Sequence, residues 1–328
     1  MEKDQNLILK FFKTNMLLVI LFAIAMAAIL FVPGFAKIEN LFGILRAMAI
    51  TGVISFGMTL VIICGEIDLS VGSAIGFSSV ISLSVAKWIT ASGAMPLETS
   101  IIVGMVAAIL LGGVIGLFIG FLRTKFNLPT FIVTLVMLNI YYGLAAIIAG
   151  GFPITTVPDW HSFIGAGVLF NVFPVPAVWL LIIFVITLFV MEKTRFGREI
   201  YAVGGNPESA RLSGINVKKT KISVMVIVQM LAAFAGIILS SQVHSGSSQF
   251  GRGYEMDVIA AVIIGGTSLF GGIGKTTGTF LGILLLGILM NCMTLLGLDD
   301  YVKYVVRGVV ILLAVLLNTI QVSRSKKA

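Results

Sequence analysis

The sequence predicts an all-α polytopic membrane protein of about ten transmembrane helices, with both termini in the cytoplasm. Three observations carry that expectation. Of 328 residues, 58% are hydrophobic and only 11% charged, and the mean hydropathy is +1.10, whereas about a quarter of residues are charged in soluble domains. Apolar runs of about 17 to 24 residues, the length that crosses a hydrocarbon core roughly 30 Å thick, recur along the chain. Lys and Arg gather in alternate segments between those runs.

In chain order the runs lie near 14–33, 41–64, 72–90, 100–122, 130–149, 174–191, 221–241, 256–268, 277–297 and 301–321. The first has no small-residue cleavage site and is long enough to span, so it reads as a helix and not as a cleaved leader. The eighth is too short to cross as a straight helix. It is either a broken helix continuing through GGTSLFGG or a partly re-entrant segment buried in protein.

With the N-terminus inside, the cytoplasmic segments hold Lys3, Lys10, Lys13, Arg123, Lys125, seven cations between Glu192 and Lys221, Lys275, Arg324, Lys326 and Lys327. The outward segments are weakly charged; the longest, Gly150 to Pro176, has Asp159 as its only acid and no Lys or Arg. Basic residues spread in short loops mark sidedness and do not suggest nucleic acid, despite the net charge of +8. Glycines recur at four-residue spacing in Gly112, Gly116 and Gly120, in Gly72 and Gly76, and in Gly278 and Gly282. Such faces let backbones approach closely where lipid supplies no hydrophobic drive between helices.

The segment from Glu192 to Lys221 is the one long, charge-dense stretch, with Lys193, Arg195, Arg198, Arg211, Lys218, Lys219 and Lys221 against Glu192, Glu199 and Glu208. Inside it lie the marks of a short helix over about 207–213: Asn206 as N-cap, Pro207 in the first helical position, Glu208 at the positive end of the dipole, and Gly214 as the stop. The chain therefore reads as one transmembrane domain, 1–328, carrying a cytoplasmic docking loop at 192–221.

Chemistry-bearing residues are few. GEIDLSVG places Glu66, Asp68 and Ser70 between the second and third runs. They either line a pathway or pair with something, or else Asp68 and Ser70 cap the next helix while Glu66 reaches cytoplasmic water. The glycine-rich segment 265–276 is not a phosphate loop, because Leu269 stands where that motif requires glycine and no strand precedes it. RLSGI (Arg211 to Ile215) lacks the second glycine and the glutamine of an ATPase signature loop, so no nucleotide site is expected. His161 and His244 read as solvated loop residues without metal-ligand partners. Cys64 and Cys292 read as packing residues. Arg46 and Arg307, inside runs near their ends, are expected to snorkel or to pair within the bundle. Trp160, Trp179 and Tyr301 look like interface anchors. No nucleophile with base and orienting group, no metal cluster and no cofactor fingerprint appears, which disfavours an enzyme.

GEIDLSVGS, NLPTFIVTL (Asn127 to Leu135), GREIYAVGGNPESARLSGINV, DVIAAVIIGGTSLFGGIGKTTGT and the closing VVRGVVILLAV together resemble the membrane subunit of bacterial sugar ABC importers of the ribose, xylose, arabinose and galactose class. The likeness covers nearly the whole chain and keeps the motif order. Glu66 departs from it, since many relatives carry a second glycine there. The resemblance implies a ten-helix inner-membrane permease that dimerises with a second copy, binds cytoplasmic ATPases that hold the ATP, and receives a sugar from an extracytoplasmic binding protein. It also implies that Asn206, Pro207, Glu208, Ala210, Arg211, Leu212, Ser213 and Gly214 form the coupling helix. On the physical reading, Ala210 and Leu212 supply its apolar contact, while Glu208 and Arg211 set register at the rim. Glu66, Asp68, Ser70, Asn139, Gln229 and Asn291 are the candidates for a hydrogen-bonding translocation path. The same architecture carrying a polyol, a sugar-derived signal or an amino acid is the alternative. A stand-alone secondary transporter would show intramembrane charge partners or a filter.

Overall fold

A computed structural model describes residues 16–325. The helices are α1 (Met16–Phe31), α2 (Ile38–Ile63), α3 (Val71–Ala91), α4 (Leu97–Phe126), α5 (Thr130–Ala149), α6 (Ser162–Ala166), α7 (Val175–Lys193), α8 (Arg195–Gly205), α9 (Pro207–Leu212), α10 (Val217–Val243), α11 (Tyr254–Ile264), α12 (Thr276–Leu295) and α13 (Asp300–Ser325). Among the described residues, strand is limited to two antiparallel residue pairs, Val168–Leu169 against Phe173–Pro174, in the loop before α7. Each expected run contains one helix. Among the described residues, α2, α3, α4, α5, α7, α10 and α12 are each long and apolar enough to cross a membrane, and α1 is a shorter apolar helix. The basic residues used to place the two ends, Lys3, Lys10, Lys13, Lys326 and Lys327, lie outside the described residues.

Sequence punctuation sets the helix ends. Asn127 closes α4 in the left-handed region (φ 57°), and Pro129 then starts α5. Pro174 and Pro176 open α7, where a missing N–H costs nothing. The core centres on α2, α3 and α10: α2 is buried almost continuously from Met48 to Ile63. By contrast, α4 and α5 present Leu110, Val114, Leu117, Ile132 and Val136 on the outside, as helices against lipid do.

All three glycine faces are packing faces. A Cβ on Gly112, Gly116 or Gly120 of α4 would come within 2.9, 2.6 and 2.7 Å of the α10 backbone at Gln229, Met225 and Ile222. Gly278 and Gly282 of α12 lie against the Gly265 and Ala261 carbonyls. Gly72 and Gly76 of α3 lie against the Gly251 and Phe250 carbonyls of the non-helical segment 244–253, and Gly72 also meets the Glu255 carboxylate in the first turn of α11.

That segment explains the short eighth run. Ser247 N–H donates to Ser79 Oγ of α3 at 3.2 Å, and Gly246 and Ile154 exchange backbone hydrogen bonds at 2.9 Å. Backbone without helical bonds is tolerated at depth when protein surrounds it, so α11 needs only 11 residues. The broken-helix alternative fails. α11 stops at Gly265, and Gly266, Gly271 and Gly272 take φ of 86°, 83° and 73°, which turn the chain before α12.

Trp179 and His161 also depart from expectation. Trp179 packs within the bundle, edge-on to Phe234 at 5.4 Å with Nε1–H on the Ile164 carbonyl at 3.3 Å. His161 is fully buried and not solvated, because Ser241 of α10 hydrogen-bonds its carbonyl and pins it under the loop. Burial, and secondarily His244, pushes its imidazole down to about 4 from 6.5. The unfolded chain therefore binds a proton first. The stabilisation from a neutral His161 is complete above about pH 6.5 and is lost as pH falls towards 4. Thermal melting between pH 4 and 7 should show that slope in the wild type and a flatter one in His161→Asn.

Candidate functional site

The 192–221 segment folds as two short helices, α8 and α9, seated on the bundle ahead of α10. Thr194 caps α8 by accepting from Gly197 N–H at 3.2 Å. α8 is amphipathic, burying Gly197, Ile200 and Val203. Its C-terminal turn docks on the end of α2: Gly204 abuts the Ile63 carbonyl, which also accepts from Gly272 N–H at 2.8 Å, and the Tyr201 hydroxyl donates to the Gly274 carbonyl at 2.9 Å. The helix α9 then forms as its local signals require. Asn206 Oδ1 accepts from the N–H groups of Glu208 and Ser209, each at 3.0 Å. Ser213 ends the helix with its hydroxyl on the Ser209 carbonyl, and Gly214 follows at φ 81°.

The two apolar residues of α9 divide. Leu212 is 75% exposed, whereas Ala210 is 4% exposed and belongs to the central core cluster. The expected outward role of Ala210 is therefore corrected: at helical spacing from Pro207 it faces α8 and α10, holding α9 down. Glu208 and Arg211 form an i,i+3 ion pair on the open face. The Arg211 guanidinium, hydrogen-bonded to Glu208, holds that carboxyl below its usual range. Asn216 Oδ1, accepting from Lys219 N–H at 3.0 Å, caps the following α10.

Four of the six polar path candidates converge on the connector 64–70 between α2 and α3. Glu66 does not reach water; it is buried. Arg123 Nε of α4 donates to both carboxylate oxygens at 3.0 and 3.1 Å, Lys221 Nζ of α10 bonds Oε1, and the Thr130 hydroxyl of α5 bonds Oε2. Asp68 is fully buried, and its Oδ1 accepts from Ser70 N–H at 2.8 Å and Ser70 Oγ at 2.6 Å. Gln229 Nε2 donates to Asp68 Oδ2 and to Ser70 Oγ, both at 2.8 Å, and Gln229 Oε1 accepts from the Tyr141 hydroxyl at 2.7 Å. These buried polar groups are thus partnered, as desolvation demands.

Asn139 and Asn291 lie elsewhere. Asn139 sits on the exposed face of α5, its amide on the Leu135 carbonyl of its own helix. Asn291 and Asn40 exchange side-chain hydrogen bonds at 3.0 and 2.8 Å between α12 and α2. Arg307 pairs within the bundle as expected, its Nε 2.8 Å from Asp257 Oδ1. Sequence reasoning missed Asp257 and Glu255; carboxylates at the head of an apolar run were the available signal. Thr130 lay inside the NLPTFIVTL motif, but nothing there tied it to Glu66, and nothing local marked Tyr141.

A bundle with seven helices long and apolar enough to cross a membrane, carrying one exposed, capped helix on its most basic segment, defines a class: a multi-pass membrane protein. Comparison with known proteins narrows it. The family model described as branched-chain amino acid transport system / permease component matches residues 40–315. The ribose import permease protein RbsC of Bacillus subtilis (strain 168) is 41% identical over 292 residues, 87% of this chain and 86% of that protein. RbsC of Escherichia coli (strain K12) is 40% identical over 291 residues, 87% of each, and the E. coli L-arabinose transport system permease protein AraH is 38% identical over 304 residues, 92% and 89%. No solved structure matches.

The chain belongs to this permease family and, within it, to the membrane subunits of sugar ABC importers. That membership makes it a multi-pass protein of the cytoplasmic (inner) membrane and implies work with an ATP-binding-cassette ATPase, a binding protein and a sugar.

Proposed function

We propose that the chain forms the translocation path for ribose or a closely related pentose, as a single transmembrane domain working in a pair of identical copies. The observation that carries this reading is the 40–41% identity to ribose import permeases over 87% of the chain. The chain itself is non-catalytic and holds no cofactor; partner subunits bind and hydrolyse the ATP. Energy enters at 206–214, where Leu212, Glu208 and Arg211 meet the ATPase while Asn206, Pro207, Ser213 and Gly214 shape α9 and Ala210 seats it. Asp68, Ser70 and Gln229 form the polar step of the path, and Glu66, Asn139 and Asn291 complete the set for an alanine scan.

Proteoliposomes holding the chain with its ATPase and binding protein should import labelled ribose only with ATP. Excess unlabelled ribose should suppress uptake, and polyols or amino acids should not. Suppression by L-arabinose in place of ribose would move the reading to arabinose, which the AraH relatives favour. Uptake of an amino acid, or ATP hydrolysis by the isolated chain, would overturn it.

A further inference from the structure

Both helices that flank α9 grip one short stretch of chain. On the α8 side, Gly204 and the Gly272 N–H lock onto the Ile63 carbonyl at the end of α2. On the α10 side, Lys221 holds Glu66 and, two turns further along the same helix, Gln229 holds Asp68. The connector 64–70 is thus tied to α10 at two points and to α8 through the residue just before it. Arg123 and Thr130 add the end of α4 and the start of α5 to the same carboxylate. Glu66 joins four segments through one side chain, and it faces two cations in a site almost closed to water.

A buried ion pair is weak evidence for stability but is well suited to setting register between moving elements. The location decides between those uses. Lys221 is the last residue of the segment that carries α9, so any displacement of α9 that moves α10 carries the Lys221 ammonium with it. We infer that Glu66 is a positioning residue of the transport cycle: its ion pair with Lys221 makes the connector 64–70 follow α10, so that movement of α9 reaches Asp68 and Gln229. This rests on the importer reading above and assigns Glu66 to transmission, with substrate left to other groups. A connector freed from α10 would let ATP hydrolysis run without a matching movement of the path.

The test uses the reconstituted complex of full-length chain, ATPase and binding protein, with Glu66→Gln, Lys221→Gln, the double variant and Glu66→Asp. Groups that act as one contact lose their effect once, so ribose imported per ATP hydrolysed should fall about 10-fold in each glutamine variant and no further in the double. The ATPase should still co-purify, and Glu66→Asp should recover most of the ratio. Should Glu66→Gln fail to accumulate, Lys221→Gln carries the comparison, because Arg123 still neutralises Glu66 there. Hydrogen exchange at amides 64–70, which needs no substrate, should quicken in both single variants. An unchanged import ratio, a fall of about 100-fold in the double as for independent sites, or unchanged exchange would each overturn the inference. A wild-type complex that hydrolyses ATP yet imports no ribose would overturn the substrate reading alone, and exchange at 64–70 would still decide the role of Glu66.

Discussion

Leu212→Asp is expected to insert and fold like the wild type yet lose its ATPase. Leu212 is 75% exposed on α9, so the isolated chain loses almost nothing, and a surface change of this kind stays within about 0.5 kcal/mol. Burying such a side chain in a partner contributes about 1.5–3 kcal/mol, and an unpaired carboxylate in its place adds a desolvation penalty. ATPase affinity should therefore fall by about 10- to 100-fold or more, and ATP-driven import with it. Replacing both Glu208 and Arg211 by Ala tests the polar rim of the same face: substrate-stimulated transport should be abolished and co-purification weakened, while the Asn206 cap still holds the helix. Melting temperature in detergent, ATPase pull-down and uptake separate these effects. Wild-type import by either variant would remove the coupling assignment.

Gly204→Val should be the most damaging single change at the cytoplasmic side. Its new Cβ would fall within the van der Waals radius of the Ile63 carbonyl and 2.7 Å from Gly272 N. Those two groups are hydrogen-bonded to each other at 2.8 Å, so neither can move aside as the tip of a side chain would. Overpacking of this kind costs about 3 kcal/mol, at the upper end of the usual range. α8 must then lift from α2, and α9 loses its seat. The neighbouring Gly205 is an internal control, because a Cβ there meets nothing within 4 Å. Gly205→Ala should be neutral or raise stability by up to about 1 kcal/mol through helix propensity. A common melting temperature for Gly204→Val and wild type would show that the junction yields.

What was legible in the sequence follows from the range of the forces involved. Lipid compels long apolar helices, so the runs stand out without knowledge of their neighbours. The cap and stop of α9 are contacts between residues two or three apart, so Asn206, Pro207 and Gly214 announce it locally. The glycine spacing announced close approach, but not that Gly72 and Gly76 would receive the backbone of the non-helical segment 244–253.

The rest depends on pairings across the chain. Glu66 meets Arg123, Thr130 and Lys221 at separations of 57, 64 and 155 residues, and Asp68 meets Gln229 at 161. No periodicity or local propensity encodes such meetings. The direction of Ala210 was likewise undecidable from a six-residue helix whose sequence allows either face to be the inner one. By itself, the sequence determined an all-helical membrane protein with one short capped helix inside its most basic segment, because those features arise from each segment meeting lipid, water or its own backbone. Only the tertiary structure decided that both arms of that helix close on residues 63–68, because a buried carboxylate takes whichever cations the packing of four separate segments brings to it.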